Sequence, residues 1–251
     1  GEYRVAALRR LLRICEVTAE WDRAVDLCGE LLRIEPGSVA PAQLAHYYCE
    51  LAENARKKSE WHEAYRLLEQ AEAVEPGKLR CALIRGDLAA DQGRAEAAAA
   101  AYVEIARTVP AMLGDVLPRV LRTVPESGLE ALLNEVTETP EGLRGIALAV
   151  IRDPQIVHPA AIDCLGRFIE QQPILRDLAG AGVPLSATPD ARREAIGRVR
   201  KALHQLSRPG TSYQCADCGY YSSSLQWQCP GCRAWDTVRA ADRLLFKGSP
   251  V

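Results

Sequence analysis

The residues of this 251-residue chain best equipped for chemistry are Cys215-Ala-Asp-Cys218 and Cys229-Pro230-Gly231-Cys232. The two Cys-x-x-Cys pairs are ten residues apart, each on a short turn, the first followed by Gly219. Two knuckles so spaced can face one another and offer four thiolates at the corners of a tetrahedron, with metal–sulfur bonds of about 2.3 Å. Four sulfurs fill the coordination sphere and leave no position for water or substrate, which makes such a site structural and not catalytic. The alternative is a pair of disulfides. Against it stand the other cysteines, Cys15, Cys28, Cys49, Cys81 and Cys164, scattered through helix-like sequence as in a reducing compartment.

A strand-loop-strand module of roughly thirty residues is too small to bury an adequate core by itself. Metal binding would therefore supply much of its folding free energy, on the order of 10 kcal/mol in comparable sites. Tyr213, Tyr220, Tyr221, Trp227 and Trp235 crowd into this module, in a chain whose aromatic fraction is only 6%. Such a cluster can stack on bases, pack on a protein, or shield the metal. Charge weighs between these. From Thr211 to Arg239 the bases Arg233 and Arg239 balance the acids Asp217 and Asp236, so the cationic footprint that nucleic acid demands is missing. Core or protein contact is the reading that remains.

The elements that must position this module lie upstream, and they repeat. Trp21-x-x-Ala24, Trp61-x-x-Ala64 and Ala95-x-x-Ala98 are each followed by a proline, Pro36, Pro76 and Pro110, fifteen residues after the first position. The period from Trp61 to Ala95 is 34 residues, the length of a tetratricopeptide repeat. From Trp21 to Trp61 it is 40, which predicts extra helical turns or a longer loop in one hairpin. Second helices carry one apolar face each: Trp21, Ala24, Val25, Cys28 and Leu32; Trp61, Ala64, Tyr65 and Leu68; Ala98, Ala99, Tyr102, Ile105 and Ala106. First helices show in the stripe Leu44, Ala45, Tyr48, Leu51, Ala52 and Ala55, and in Leu79 to Gln92. A helix pair cannot cover its own apolar face, so such pairs stack into a solenoid with a concave surface suited to polypeptides. A helical bundle without a groove is the plainer alternative.

Beyond Pro110 the helical rhythm continues while the consensus fades. Ser127 is expected to cap a helix carrying Leu129, Leu132, Leu133 and Val136. Thr139-Pro140 and His158-Pro159 open two more, and Thr188-Pro189-Asp190 starts a last one ending near Leu206. The expected fold class is an all-α tetratricopeptide-repeat superhelix with a small C-terminal metal-binding β module. Its divisions are repeats over 1–206, clear to about 110 and degenerate after; a linker over 207–212; the metal module over 213–240; and a tail over 241–251. The linker is too short to let the module wander, so the two parts are expected to dock.

Composition narrows the function. A formal charge of −2 gives no general electrostatic reason to bind nucleic acid or anionic lipid, and no apolar run is long enough to span a membrane. The chain starts at Gly1 without an initiator Met and enters helical sequence almost at once, as a piece of a longer protein would, with any anchor upstream. No phosphate loop, nucleophile elbow or His-Glu-x-x-His motif occurs, and no catalytic residue is expected. His46, His62, His158 and His204 lie on separate predicted helices or their ends. Ser222-Ser223-Ser224 reads as a polar turn, and Arg56-Lys57-Lys58 as a solvated helix end.

Repeats followed directly by Cys-x-x-Cys-Gly-aromatic and Cys-Pro-x-Cys-x-x-Trp closely resemble the lipopolysaccharide assembly protein B family (LapB, also called YciM). The residues carrying the likeness are Tyr213, Cys215, Cys218, Gly219, Trp227, Cys229, Pro230, Cys232, Arg233, Ala234 and Trp235, with the segment His46-Tyr47-Tyr48-Cys49-Glu50-Leu51-Ala52. The resemblance implies an inner-membrane protein with an N-terminal membrane helix absent from this chain, a repeat domain on the cytoplasmic face, and a rubredoxin-type module packed on the repeats. It implies a non-enzymatic adaptor that helps the membrane protease FtsH degrade the LpxC deacetylase and so limits lipopolysaccharide production. It carries metal ligation to Cys215, Cys218, Cys229 and Cys232. Zinc is the expected ion, with iron open, because spacing alone does not choose between them. Two other readings stand beside it. The knuckles are also similar to the zinc module of RadA-type DNA repair ATPases, although those place it ahead of a phosphate loop, which this chain lacks. A rubredoxin-like electron carrier fused to repeats is the other.

Overall fold

The protein is described by a computed structural model over residues 2–36, 40–173 and 188–241; the expected tail from 242 onward lies outside these. It divides into two compact units, Gly1–Ala101 and Tyr102–Val251.

Unit 1 is built from helix hairpins. The helices α1 (Glu2–Thr18), α2 (Trp21–Ile34), α3 (Ala40–Lys57), α4 (Trp61–Val74) and α5 (Leu79–Asp91) follow in order, and α6 (Ala95–Thr108) runs on into unit 2. Each turn into a second helix is the same. Ala19, Ser59 and Gly93 take positive φ of 56°, 61° and 71°. The following amides of Glu20, Glu60 and Arg94 donate to the carbonyls of Cys15, Ala55 and Ala89, each at 2.9 Å. A left-handed residue after a helix lets the chain satisfy the last carbonyls and reverse. Only the third turn places a glycine there; Ala19 and Ser59 accept a backbone that L-residues disfavour.

The far ends of the second helices match as well. Glu35, Glu75 and Val109 precede the three prolines, with φ of −131°, −139° and −131°. The proline ring pushes the residue before it out of the helical region, so each second helix stops at one place. Between these signals Ala24, Cys28 and Leu31, then Ala64, Leu67, Leu68 and Ala71, are buried. On α2 the structure thus buries Leu31 and leaves Trp21 and Leu32 half-buried, a shift of the predicted face by one residue. The long first period is explained mainly by α3, whose 18 residues compare with 13 in α5. The extra length is helix more than loop. α3 packs on α2, α4 and α5, and Ala45, Cys49, Ala52, Leu68, Cys81, Ile84 and Leu88 close into one core.

Polar groups tie these helices too. Arg56 is not solvated as expected: it bonds Glu53 and reaches Asp91 at 2.6 Å, joining the ends of α3 and α5. His46 is fully buried and lies 3.5 Å from the Arg80 guanidinium, which also bonds Glu50 at 2.7 Å.

In unit 2 a 3-10 turn, Pro110–Met112, leads into α7 (Leu113–Thr123), α8 (Glu126–Val136), α9 (Pro140–Arg152), α10 (Pro159–Gln171) and α11 (Pro189–Leu206). α9 is the centre. It packs on the 3-10 turn, α7, α10 and α11, and Leu143, Ile146, Ala147, Leu148, Val150 and Ile151 are all buried. Close approach at its start requires glycine: a Cβ on Gly142 would fall 2.0 Å from the Val136 carbonyl oxygen.

The expected caps at Thr139, His158 and Thr188 are present, each accepting from an amide in the first turn. Ser127 is not one. α8 begins at Glu126 with Pro125 before it, whose fixed φ starts the helix without a side-chain acceptor, so Ser127 lies inside the first turn. α7 escaped the sequence reading because Pro118 sits within it. The ring removes one helical donor, and the Arg119 side chain donates to the nearby Asp115 carbonyl at 3.1 Å.

Candidate metal centre

The chain from Tyr213 forms three short strands, β1 (Tyr213–Cys215), β2 (Tyr221–Ser222) and β3 (Val238–Ala240), in the antiparallel order β2-β1-β3. Ser222 ends β2, and its hydroxyl donates to the Ser224 carbonyl, so the serine run turns as expected.

The two knuckles are built alike. In the first, the Gly219 amide donates to the Cys215 carbonyl at 3.0 Å and the Cys215 amide to the Tyr220 carbonyl at 2.8 Å. In the second, Arg233 donates to Cys229 and Cys229 to Ala234, both at 2.9 Å. Gly219 and Arg233 occupy equivalent left-handed positions, at φ of 75° and 65°. The first knuckle follows the rule that glycine takes this conformation; the second breaks it with an arginine.

These turns bring all four sulfurs within 4.8 Å of one another, Cys215 to Cys232 at 3.7 Å and Cys218 to Cys229 at 3.6 Å. A tetrahedron with metal–sulfur bonds of about 2.3 Å has edges of about 3.8 Å, so the quartet fits one ion. It does not fit disulfides, whose sulfurs stand about 2.05 Å apart. Cys215 and Cys229 are buried, Cys232 is half-buried and Cys218 is exposed.

Within the quartet the local field favours the thiolate at Cys215 and opposes it at Cys218 and Cys232. Burial works against ionisation of Cys215, yet the Thr237 hydroxyl and the amides of Cys218 and Asp217 outweigh it and bring the thiol down to about 6. At Cys232 the Ala234 amide acts in the same sense, but burial and the neighbouring sulfurs prevail and push it up to about 12. Four thiolates this close repel one another, and a shared cation removes the conflict.

Among the described residues no other group of three or more Cys, His, Asp or Glu converges in this way. Cys15, Cys28, Cys49, Cys81 and Cys164 are buried on helices, with Cys49 and Cys81 in contact at 3.6 Å across α3 and α5. The histidines are dispersed: His46 is buried, His62 exposed on α4, His158 caps α10 and bonds Glu126, and His204 bonds the Ile151 carbonyl at 3.0 Å.

Docking within unit 2 uses helix residues, Asp115 and Arg152, that carry no motif. The Tyr213 hydroxyl donates to Asp115, 98 residues earlier on α7. Arg152, at the end of α9, donates to the Ala241 carbonyl at 2.8 Å. Burial raises the Asp115 carboxyl, against the pull of Tyr213, Arg119 and Arg152; burial and then Asp115 push the Tyr213 phenol up. Trp227 and Trp235 are half-buried within the module, whereas Tyr220 lies 43% exposed beside Gly231. The aromatics thus divide between packing, docking and surface.

Repeated helix hairpins carrying a C-terminal rubredoxin-type metal module are the class that this fold and site define. Residues 213–240 match the family model described as the rubredoxin metal binding domain. The whole chain is similar to lipopolysaccharide assembly protein B from Escherichia coli strain K12, at 24% identity over 95% of the chain. The protein of that name from Haemophilus influenzae is 25% identical over the same share. These homologues bear out the resemblance read from the knuckles and repeats. The chain spans 63% of the E. coli relative's length and 61% of the H. influenzae one. A solved structure, the MamA RS-1 ArsTM double mutant, aligns over 79% of this chain and 96% of its own at 10% identity, with a TM-score of 0.37.

Proposed function

We propose that this chain is a lipopolysaccharide assembly protein that acts by binding other proteins, its module held in shape by one structural ion on Cys215, Cys218, Cys229 and Cys232. The observation that carries the reading is the pairing of a converged sulfur quartet with a likeness to lipopolysaccharide assembly protein B along 95% of the chain. The relatives are named as assembly proteins and not as enzymes. A closed tetrathiolate supports the same view, because it has no open position for substrate. Zinc suits the role, being redox-inert and tetrahedral. We retain the division into repeats over 1–206, linker over 207–212 and module over 213–240.

The finer mechanism follows the resemblance. The repeats hold a client or the protease near the membrane, so that FtsH degrades LpxC and lipopolysaccharide synthesis is limited. None of the described helices is long and apolar enough to cross a membrane. In this reading a membrane helix outside the described residues is the anchor, and it holds the repeats at the cytoplasmic face of the inner membrane. A tagged, membrane-anchored version tests it by pull-down and mass spectrometry from a Gram-negative cell, with LpxC lifetime followed beside it. Recovery of FtsH, and an LpxC lifetime that lengthens in Cys229→Ser, is the expected result. Full LpxC turnover in that variant contradicts the mechanism. The rubredoxin description also favours one rival, an electron carrier; iron in the purified protein with a reversible redox wave would replace the adaptor reading with it.

A further inference from the structure

We infer that Asp115 and Arg152 are positioning residues for the metal module, and that through them ion binding at the four sulfurs is coupled to the order of α7 and α9. The inference rests on the tetrathiolate reading above and adds a second place where the ion is felt.

The strands make the connection. Tyr213 and Cys215 share β1, and β1 pairs with β3 so that Tyr213 faces Ala240 and Cys215 faces Val238. One end of this ribbon belongs to the metal centre: Cys215 gives its sulfur, the Thr237 hydroxyl lies 3.2 Å from that sulfur, and the Ala216 amide bonds the Thr237 carbonyl at 2.8 Å. The other end belongs to the helices. There the Tyr213 hydroxyl reaches Asp115, the Ala241 carbonyl takes Arg152, and the Ala241 amide closes on the Ser212 carbonyl at 2.9 Å. The ion and the anchors therefore hold opposite ends of one two-stranded unit.

Such a unit cannot order one end alone. The module buries only Cys215, Cys229 and Val238 as its own core, so without the sulfur centre little keeps β1 and β3 paired. Loss of that pairing withdraws the phenol from Asp115 and the carbonyl from Arg152. Both charged groups are half-buried in unit 2, and a hydrogen bond lost by a charge in such a place is costly. α7 and α9 then relax until water reaches those groups. The coupling is reciprocal: if the ion steadies the helices, the anchors tighten the ion by the same factor.

The experiment uses the full chain loaded with zinc and follows two readouts. Zinc retention is measured against a chromogenic chelator for wild type, Tyr213→Phe, Asp115→Ala and Asp115→Asn. Hydrogen exchange of residues 113–123 and 140–152 is measured with the ion bound and after its removal. Tyr213→Phe and Asp115→Ala should each weaken zinc retention about tenfold, and the pair together no more than either alone. Asp115→Asn keeps an acceptor for the phenol and should rescue most of the loss. Zinc removal from wild type should speed exchange in α7 and α9 and leave α3 and α4 unchanged. If Asp115→Ala fails to fold, Tyr213→Phe, which loses a single oxygen, carries the test. Wild-type zinc retention in Tyr213→Phe, or α7 and α9 exchange indifferent to zinc in wild type, would overturn the coupling while leaving the metal centre intact. Failure of wild type to bind zinc at all would instead remove the tetrathiolate reading and this inference with it.

Discussion

The first helical unit and the metal module solve the same problem with different means. Around α3 and α4, small and large apolar residues interlock, with Ala64, Leu68, Ala71, Cys81 and Leu88 all fully buried. The module has almost nothing of this kind: three buried residues, two of them sulfurs of the metal quartet, with Tyr213 and Cys232 packed against them. Burial spread over many contacts is set against a few strong bonds at one point. The helices should therefore lose stability by degrees as side chains are trimmed, while the module should fail at once when its centre is disturbed.

The largest effect expected is at that centre. Cys229→Ser, or removal of the ion by a chelator, forfeits on the order of 10 kcal/mol of binding free energy and should unfold the module. Loss of its dispersed amide signals in NMR, with the helical circular dichroism retained, is the check. In unit 1, Leu68→Ala should cost about 2–5 kcal/mol by cavity formation and leave the metal content unchanged, read as a lower melting temperature. A fall in metal content there would blur the contrast between the two regions. In unit 2, Gly142→Ala drives a methyl against the Val136 carbonyl and should cost about 1–3 kcal/mol in denaturant midpoint. The smallest test compares the repeated turns: Ser59→Gly should gain, and Gly93→Ala lose, about 1 kcal/mol each. Equal effects of the same sign would show that the turns are not equivalent.

The contrast also explains what could be read from the sequence. The knuckles were legible because their ligands are local: two Cys-x-x-Cys turns of fixed spacing, the first with Gly219 at its left-handed bend, leave few arrangements open. Second helices were legible for a similar reason, since Trp61, Ala64 and Pro76 mark a start, a close approach and a stop along one continuous stretch. Three features did not show. α7 was hidden by Pro118, which reads as a breaker but is tolerated where packing holds the turn. The start of α8 was set by Pro125 and not by the hydroxyl of Ser127. Asp115 and Arg152 belong to no repeat and no motif, and their partners Tyr213 and Ala241 lie 98 and 89 residues away. Only the fold brings them together. Contacts of that kind leave no periodic trace, and a charged residue in a helix is usually a solvated one.

Metal content and thiol state, measured together on the intact chain, test the central claim most directly. The account predicts one equivalent of a divalent ion per chain by elemental analysis, with Cys215, Cys218, Cys229 and Cys232 protected from alkylation until the ion is removed, and no bound ion in Cys229→Ser. A metal-free protein whose four thiols alkylate freely, or one whose mass shows them joined as disulfides, would contradict it.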